Sequence, residues 1–285
     1  MRIILNDVTV CAIDSINPSL ALRAIKICQN NISFGDSIIF SDVDTHQATI
    51  RQIKVNKIRS KNEYSKFLLK ELSQHINTSH TLVVQWDGYV TAPKSWNSNF
   101  LKFDYIGAEW DWHKDGMNVG NGGFSLRSKR LLNILSSDEF PFIENVNEDE
   151  QICRVYRERL EKKFNINFAP TEIANQFAYE RGTPKETTFG FHGLFNMWRH
   201  VDDIEMINLI NQLDPNSLSS IEYYELIATY YSKKNLALTK FLYSKLKNHY
   251  QTKDIIMRFL DIIQNHDECK NFIIDCESLA REEIL

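Results

Sequence analysis

Apolar and polar positions alternate along the first two thirds of the chain in a pattern that predicts short buried strands separated by amphipathic helices. Continuous apolar runs at Val8 to Ile13, Ser37 to Phe40 and Thr81 to Gln85 are typical of strands buried on both faces. A weaker strand is predicted at Ile50 to Ile58. The alternation indicates an α/β fold with a mixed, mostly parallel sheet and flanking helices.

Local start signals place helices between these strands. Asn17 and Pro18 form an N-cap followed by proline at the first helical position. Ser60 and Glu63 have the spacing of a capping box. In such a box the Ser60 hydroxyl accepts from the Glu63 amide, and the Glu63 side chain reaches back to the Ser60 amide. Ser128 is a candidate cap for a third helix. These signals agree with the strand positions.

The last third of the chain has a different pattern, because strand-like runs stop near Asp202 and helical spacing takes over. The pattern predicts an all-helical C-terminal appendage of four or five helices in residues 199–285, after an α/β domain in residues 1–198. These helices are expected to form their own core. Docking of a protein partner on them, or self-association through them, stays open.

Composition narrows the class of protein. Hydrophobic residues make up 43% and charged residues 25% of the 285, as in globular proteins, and the net charge of −4 argues against a nucleic-acid partner. The odd number of cysteines, five, favours a reducing compartment. Neither a signal peptide nor a membrane-spanning run is recognisable. These features predict a cytoplasmic protein, for which peripheral contact with the inner membrane stays open.

Four segments carry residues suited to chemistry, and the first is Val83 to Val90. Asp87 follows a predicted buried strand, where ligands of open α/β sheets bind. A carboxylate at this position can hold a divalent cation that neutralises a diphosphate. Asp87 and Gly88 can equally form a simple turn.

The second segment is Gly120 to Gly123, in which three of the ten glycines fall within four positions. Glycine lets a ligand approach the backbone closely, so the amides of Gly122 and Gly123 are candidates for binding hydroxyls or phosphates. A sharp bend with structural glycines is the alternative.

The third segment, Asn147 to Glu150, begins a predicted helix. Acidic residues in a first turn complement the helix dipole and need no other role. The functional interpretation is that Glu148 or Asp149 is a general base for an acceptor hydroxyl.

The fourth segment contains His192, which is a candidate metal ligand or phosphate contact and, alternatively, a structural hydrogen bonder. Two further residues are weaker candidates. Trp110 can stack on a sugar or pack in the core, and Asp42, after the second strand, can reach a nucleotide ribose or form a turn.

The order of these segments resembles a bacterial family long known only as a domain of unknown function and grouped with glycosyltransferases of the GT-A type. The resemblance covers about residues 8–195. It is carried by the strings VTVCAIDSINPSLALRA, FGDSIIFSD, LVVQWDGYV, FDYIGAEW, VGNGGFSLRS, NEDEQIC, INFAP and FGFHG. A GT-A-like, Rossmann-like fold and a nucleotide-sugar substrate are what this resemblance implies.

The resemblance also implies roles for single residues. Asp87 stands in the metal-binding motif of GT-A enzymes, whose first acid is replaced here by Gln85, and His192 resembles a late metal ligand. Asp149, in preference to Glu148, resembles the base of inverting members. Gly122, Gly123 and Phe124 look like the acceptor-side loop. The expected cofactor is Mn²⁺ or Mg²⁺.

We therefore predict transfer of a sugar from a nucleoside diphosphate donor to a hydroxyl of a glycan or glycolipid, in surface polysaccharide or lipopolysaccharide synthesis by analogy. One alternative is a nucleotidyltransferase, although no glycine precedes Gly35 to form a phosphate loop after the first strand. The other is a non-catalytic sugar-binding or adaptor protein. The prediction depends on residues 87, 149 and 192 meeting in one cleft.

Overall fold

A computed structural model describes residues 2–45 and 47–281, and for residue 281 only the backbone. The chain forms two compact units, Met1–His192 and Gly193–Leu285. The predicted boundary after residue 198 falls inside a short 3-10 helix, Leu194–Arg199, at the start of the second unit. All five cysteines are free and buried.

The first unit is built on a six-stranded sheet with the order β3-β2-β1-β4-β6-β5. Its strands are β1 (Ile3–Ile13), β2 (Ile32–Ser41), β3 (Arg51–Lys54), β4 (His80–Val83), β5 (Tyr105–Ile106) and β6 (Ser125–Ser128). The pairs from β3 to β4 are parallel, whereas β6 runs antiparallel to both β4 and β5. The predicted mixed, mostly parallel α/β fold is confirmed.

The strand order reverses direction between β1 and β4. The chain first adds β2 and β3 on one side of β1, and then places β4 on the other side. In open α/β sheets such a switch point leaves a crevice beyond the carboxyl ends of the two strands, where ligands bind. Val10 and Cys11 are consecutive on β1, so their side chains point to opposite faces of the sheet, and both are fully buried. This part of the sheet is therefore covered on both faces.

Six helices accompany this sheet: α1 (Pro18–Gln29), α2 (Lys61–Lys70), α3 (Lys129–Ser136), α4 (Glu148–Glu150), α5 (Arg157–Phe164) and α6 (Thr171–Phe177). The predicted caps of α2 and α3 form, since Ser60 accepts from the Glu63 amide and Ser128 from the Leu131 amide. The Glu63 carboxylate reaches back to the amide of Arg59, one residue before the cap.

A π-helical turn, Gln151–Val155, separates α4 from α5 and changes the direction of the side chains that follow. The amide of Tyr156 donates to the carbonyl of Gln151, five residues earlier, at 2.8 Å. The extra residue in this turn moves Val155 off the buried face that carries Ile152 and Leu160. Val155 is 52% exposed, whereas Leu160 is fully buried.

A second, two-stranded parallel sheet joins β7 (Ala178–Tyr179) to β8 (Gly190–Phe191). Gly190 and Phe191, directly before His192, are held in this ladder. The amide of His192 then donates to the carbonyl of Tyr179 at 3.0 Å. The backbone at His192 is thus held by the ladder that precedes it and by this hydrogen bond.

The second unit is helical, as the periodicity predicts. It contains α7 (Asp203–Gln212), α8 (Ile221–Ser232), α9 (Leu236–Lys247), α10 (Thr252–Ile262) and α11 (His266–Arg281). Tyrosines fill much of its core, and the hydroxyl of buried Tyr223 donates to the carbonyl of Leu242 at 3.1 Å. Among the helices of both units, in their described residues, none combines the length and apolar character needed to cross a membrane.

Candidate functional site

The chain leaves the carboxyl end of β4 in a tight turn that contains Asp87. Gln85 and Gly88 exchange two backbone hydrogen bonds of 3.0 and 3.1 Å, so Trp86 and Asp87 occupy the tip. Asp87 is nevertheless only 5% exposed. The turn therefore presents a buried carboxylate next to the switch point of the sheet.

His192 faces this turn. Its Nε2 lies 3.1 Å from Oε1 of Gln85 and 3.8 Å from Oδ1 of Asp87. Its Nδ1 lies 3.0 Å from Oε1 of Glu180. The Gln85 amide is oriented by its own Nε2, which donates to the Tyr64 hydroxyl at 2.8 Å. Both ring nitrogens of His192 are thus close to oxygen acceptors.

This arrangement has a chemical consequence for His192. An ionised carboxylate can only accept a hydrogen bond, so Nδ1 donates to Glu180 and leaves Nε2 facing the oxygens of Gln85 and Asp87. A lone pair on Nε2 is unfavourable there, because both facing atoms are acceptors. A cation bound by these oxygens and by the Nε2 lone pair would remove this conflict.

Glu180 lies against the other ring nitrogen of His192. Burial raises the pKa of Glu180, but the hydrogen bond and charge of His192, the charge of Arg181 and a hydrogen bond from Asn121 together leave it below its usual value. The Asn121 side-chain nitrogen lies 3.1 Å from Nδ1 of His192 and donates to the Glu180 carboxylate. These contacts orient the ring from the side opposite to Asp87.

The glycine-rich loop, Gly120 to Gly123, lies between His192 and Glu148. Asn121 has a φ of 59°, and a Cβ added to Gly123 would lie 2.0 Å from Nε2 of His192. A Cβ added to Gly122 would lie 2.1 Å from Oε1 of Glu148. The side chains of His192 and Glu148 therefore lie so close to the loop backbone that only glycine fits at positions 123 and 122.

Glu148 and Asp149 stand at the start of α4, but they point to different surroundings. Glu148 is 5% exposed and forms a 3.0 Å ion pair with Arg127. Asp149 is half-buried, and its Oδ2 accepts from the Gly122 amide at 2.9 Å. Glu148 is an internal anchor, whereas Asp149 lies at the surface of the site.

The environment of Asp149 favours proton exchange near neutral pH. Burial, followed by the negative charge of Glu148, raises the pKa of Asp149 to about 7, although Arg127 and two backbone amides act in the opposite direction. A carboxyl group with such a pKa can accept a proton from a hydroxyl at the working pH of a cell.

The structure brings together most residues predicted from the sequence. Contacts connect seven of them through the loop and its neighbours: Gln85, Asp87, Gly122, Gly123, Glu148, Asp149 and His192. It does not connect Asp42 or Trp110 to this set. Asp42 follows β2 at the same edge of the sheet, and its buried Oδ1 has no hydrogen-bond partner within the described residues. Trp110 is 5% exposed and packs in the core beneath Gly120.

Two contributors were missed by sequence reasoning. Arg127 is a charged residue in the strand that follows the glycine loop, where apolar side chains are usual, and this was an available signal. Glu180 lies in a polar segment that offers no such signal. Its role depends on His192, twelve residues later in the chain.

The donor atoms near Asp87 suit a divalent cation. Within the described part of the chain, no group of three or more His, Cys, Asp or Glu side chains is arranged to hold a metal ion. The amide oxygen of Gln85, the carboxylate of Asp87 and Nε2 of His192 nevertheless lie close together. Mg²⁺ and similar ions often bind one or two carboxylates and complete their coordination with substrate phosphates and water.

Comparison with known proteins adds a family. Residues 47–192, slightly more than half of the chain, match the model of the family described as "Protein of unknown function (DUF5672)". A comparison with curated proteins found no match.

Solved structures with a similar arrangement include two glycosyltransferases. One is the mannosyltransferase PcManGT from Pyrobaculum calidifontis in complex with GDP-Man and Mn²⁺, with a TM-score of 0.41, 9% identity, and coverage of 96% of this chain and 86% of that chain. The other is involved in the glycosylation of the major capsid of PBCV-1, with a TM-score of 0.41, 10% identity, and coverage of 72% and 98%.

Proposed function

The chain belongs to the DUF5672 family, and we propose that it is a glycosyltransferase that moves a sugar from a nucleotide-activated donor to a hydroxyl of a glycan or glycolipid. One observation carries the proposal. Asp87, His192 and Asp149 come from distant parts of the chain and meet around one glycine-rich loop, at the switch point of a mostly parallel sheet.

The site divides into two sides. We call Gly122, Arg127, Glu148 and Asp149 the base side. On this side Asp149 removes the proton of the acceptor hydroxyl as the new bond to the sugar forms. Its Oδ2 is oriented by the Gly122 amide, and the residue is half-buried.

We call Gln85, Asp87, Gly123, Glu180 and His192 the donor side. A bound Mn²⁺ or Mg²⁺ held by Gln85, Asp87 and His192 would neutralise the departing nucleoside diphosphate. The chain itself contributes the orientation of these ligands, because Tyr64 and Glu180 hold the Gln85 amide and the His192 ring. A carboxylate that holds the second nitrogen of a ligating histidine is a common feature of metal sites.

The stereochemistry follows from the single base. Glu148 is engaged with Arg127, so Asp149 alone is placed to act on the acceptor, and direct displacement inverts the anomeric centre. We assign catalysis to residues 1–198 and partner or self-association contacts to the helices of residues 199–285. Surface polysaccharide or lipopolysaccharide synthesis is the proposed setting.

The proposal is tested first by ligand-induced stabilisation and then by turnover. Nucleotides and nucleotide sugars are screened by thermal shift with and without Mn²⁺, since a ligand that binds only the folded state raises its melting temperature. Transfer is then measured for Asp149→Asn and Asp87→Asn, with Asp138→Asn, at an exposed position, as control.

Asp149→Asn is expected to reduce transfer by about 10²- to 10⁴-fold while it still binds the donor nucleotide. Asp87→Asn is expected to lose the Mn²⁺-dependent part of nucleotide binding. Wild-type turnover in both variants would contradict the proposal. Release of pyrophosphate from a nucleoside triphosphate and a sugar phosphate would identify a nucleotidyltransferase, and donor binding without any turnover would identify a sugar-binding protein.

A further inference from the structure

Arg127, on β6, is a fully buried cation with 0% of its surface exposed. Its Nε donates to the Ser125 hydroxyl at 3.0 Å, and its Nη2 donates to Glu148 at 3.0 Å and to the Gly122 carbonyl at 3.3 Å. The guanidinium also lies 5.4 Å from the centre of the Tyr105 ring. One side chain therefore joins β6, β5, the glycine loop and the start of α4.

Stability does not account for this residue. The loss of hydration of two buried charges can exceed their mutual attraction, so a buried ion pair is weak evidence for stabilisation. The Nη1 atom of Arg127 is also buried and has no hydrogen-bond partner in residues 2–45 and 47–281, which adds to its cost. A side chain kept under these conditions has a role that an apolar residue cannot supply.

We propose that Arg127 is a positioning residue that holds Asp149 in place, an inference that rests on the proposed function in taking Asp149 as the base. Asp149 is held in two ways, by its peptide bond to Glu148 and by the Gly122 amide at Oδ2. Arg127 binds both of these neighbours, through the Glu148 carboxylate and the Gly122 carbonyl. The single guanidinium sets the distance between the loop and α4.

The other oxygen of Glu148 supports the same geometry. The Ser65 hydroxyl of α2 lies 3.4 Å from Oε2 of Glu148 and accepts from the Glu148 amide at 3.1 Å. The Glu148 side chain is thus fixed between Ser65 and Arg127 and cannot turn towards the acceptor. This explains physically why the base is Asp149 and not its neighbour.

Arg127 also affects the ionisation of the Asp149 carboxyl group. Among the described residues, the ionisable side chains that act on Asp149 are Glu148 and Cys153 on its own segment, Tyr105 on β5 and Arg127 on β6. Burial and Glu148 raise the pKa of Asp149, whereas Arg127 lowers it. The arginine therefore helps Asp149 to lose its proton, in addition to fixing its position.

A titration of Asp149 tests the proposal without reference to activity. Its carboxyl carbon is followed by ¹³C NMR in protein labelled at aspartate, with Asp149→Asn for assignment. Arg127→Met is expected to raise the titration midpoint and Glu148→Gln to lower it, because the two partners act with opposite sign. Arg130→Met, at an exposed arginine on α3, is the matched control and should leave the midpoint unchanged.

An unchanged midpoint in folded Arg127→Met overturns the proposal, whatever Glu148→Gln shows. If Arg127→Met does not fold, Arg127→Lys takes its place, and a wild-type kcat per folded molecule in that variant overturns the proposal. A wild-type protein that transfers no sugar contradicts the proposed function alone, since the titration result stands by itself.

The conservative variant separates positioning from support of the fold. Arg127→Lys keeps the charge but cannot donate to Glu148 and Gly122 from one planar fork. We expect kcat to fall about 10- to 100-fold while the donor KM stays within about threefold, because misplacement of a catalytic group reduces the rate more than binding. A kcat per folded molecule equal to that of the wild type would contradict the positioning role.

Discussion

The base side and the donor side of the candidate site balance their charges in different ways. On the base side, the carboxylates of Glu148 and Asp149 share a permanent cation, because a guanidinium stays protonated in proteins. Arg127 lies 3.0 Å from Glu148 and is fully buried, so its field is little screened by solvent. On this side the chain itself supplies the positive charge.

On the donor side the two carboxylates share a histidine, and Arg181 adds a positive charge that lowers the pKa of Glu180. Asp87 and Glu180 lie on opposite sides of His192, which is charged only when it is protonated. The amide oxygen of Gln85 adds a further acceptor at Nε2. We therefore expect a metal requirement on the donor side only, and we expect that substitutions can disable either side while the other remains intact.

The largest effects are expected from a matched pair of alanine substitutions in the glycine loop. In Gly122→Ala the new methyl group would lie 2.1 Å from Glu148, and in Gly123→Ala it would lie 2.0 Å from Nε2 of His192. Gly122→Ala should reduce kcat by about 100-fold and keep Mn²⁺-dependent nucleotide binding. Gly123→Ala should weaken that binding at least about tenfold, because displacement of a metal ligand has this order of effect.

Thermal shift with a nucleotide and Mn²⁺, together with steady-state transfer, separates these outcomes. Both substitutions are also expected to destabilise the fold by about 1–3 kcal/mol through overpacking. Gly182→Ala is the control, since a Cβ at this exposed glycine meets nothing within 4 Å. Equal loss of metal-dependent binding in both loop variants would show that the two sides are not separable.

A smaller effect is expected from Glu180→Gln, which removes the charge that holds His192 but keeps an acceptor for its Nδ1. The affinity for Mn²⁺ should fall about 10- to 100-fold, as for other second-sphere carboxylates. Electron paramagnetic resonance of free Mn²⁺ measures this directly. Glu172→Gln, an exposed change on α6, should bind Mn²⁺ as the wild type does. A wild-type affinity in Glu180→Gln would remove Glu180 from the donor side.

The smallest effect concerns stability and pH on the base side. The pKa of Asp149 is raised to about 7 by burial and by Glu148, against about 4 in an unfolded chain. The stabilisation that the protonated Asp149 carboxyl adds to the free energy of unfolding is therefore complete below about pH 4, and it is lost as the pH rises through about 7. Asp149→Asn cannot ionise, so its melting temperature should exceed that of the wild type by a few degrees at about pH 8.

Calorimetry at about pH 8 and about pH 4 checks this sign. The gain of Asp149→Asn should disappear at the lower pH, where the wild-type carboxyl is protonated. Asp138→Asn, at an exposed position, should show no pH-dependent difference. A gain of equal size at both pH values would mean that ionisation of Asp149 is not its cause.

Much of the fold and part of the site could be predicted from local patterns. Strands β1, β2 and β4 follow from continuous apolar runs, and the caps of α2 and α3 follow from Ser60 and Ser128. Position along the chain also indicated Asp87, since ligands bind where parallel strands end. Side-chain roles were less accessible. Glu148 and Asp149 are adjacent in sequence, yet one is an internal anchor and the other is half-exposed.

The sequence by itself determined that strands and helices alternate and where α2 and α3 begin, because hydrophobic period and capping act over a few residues. It did not determine where β1 and β2 begin, at Ile3 and Ile32, before the predicted apolar runs. Only the tertiary structure decided which polar groups meet. His192 contacts Gln85 across 107 positions, and Arg127 contacts Glu148 across 21. The local sequence indicates whether a side chain is suited to burial, but the packing of distant elements determines which partner it contacts. The same packing gives Asp149 its raised pKa and Arg127 its buried position.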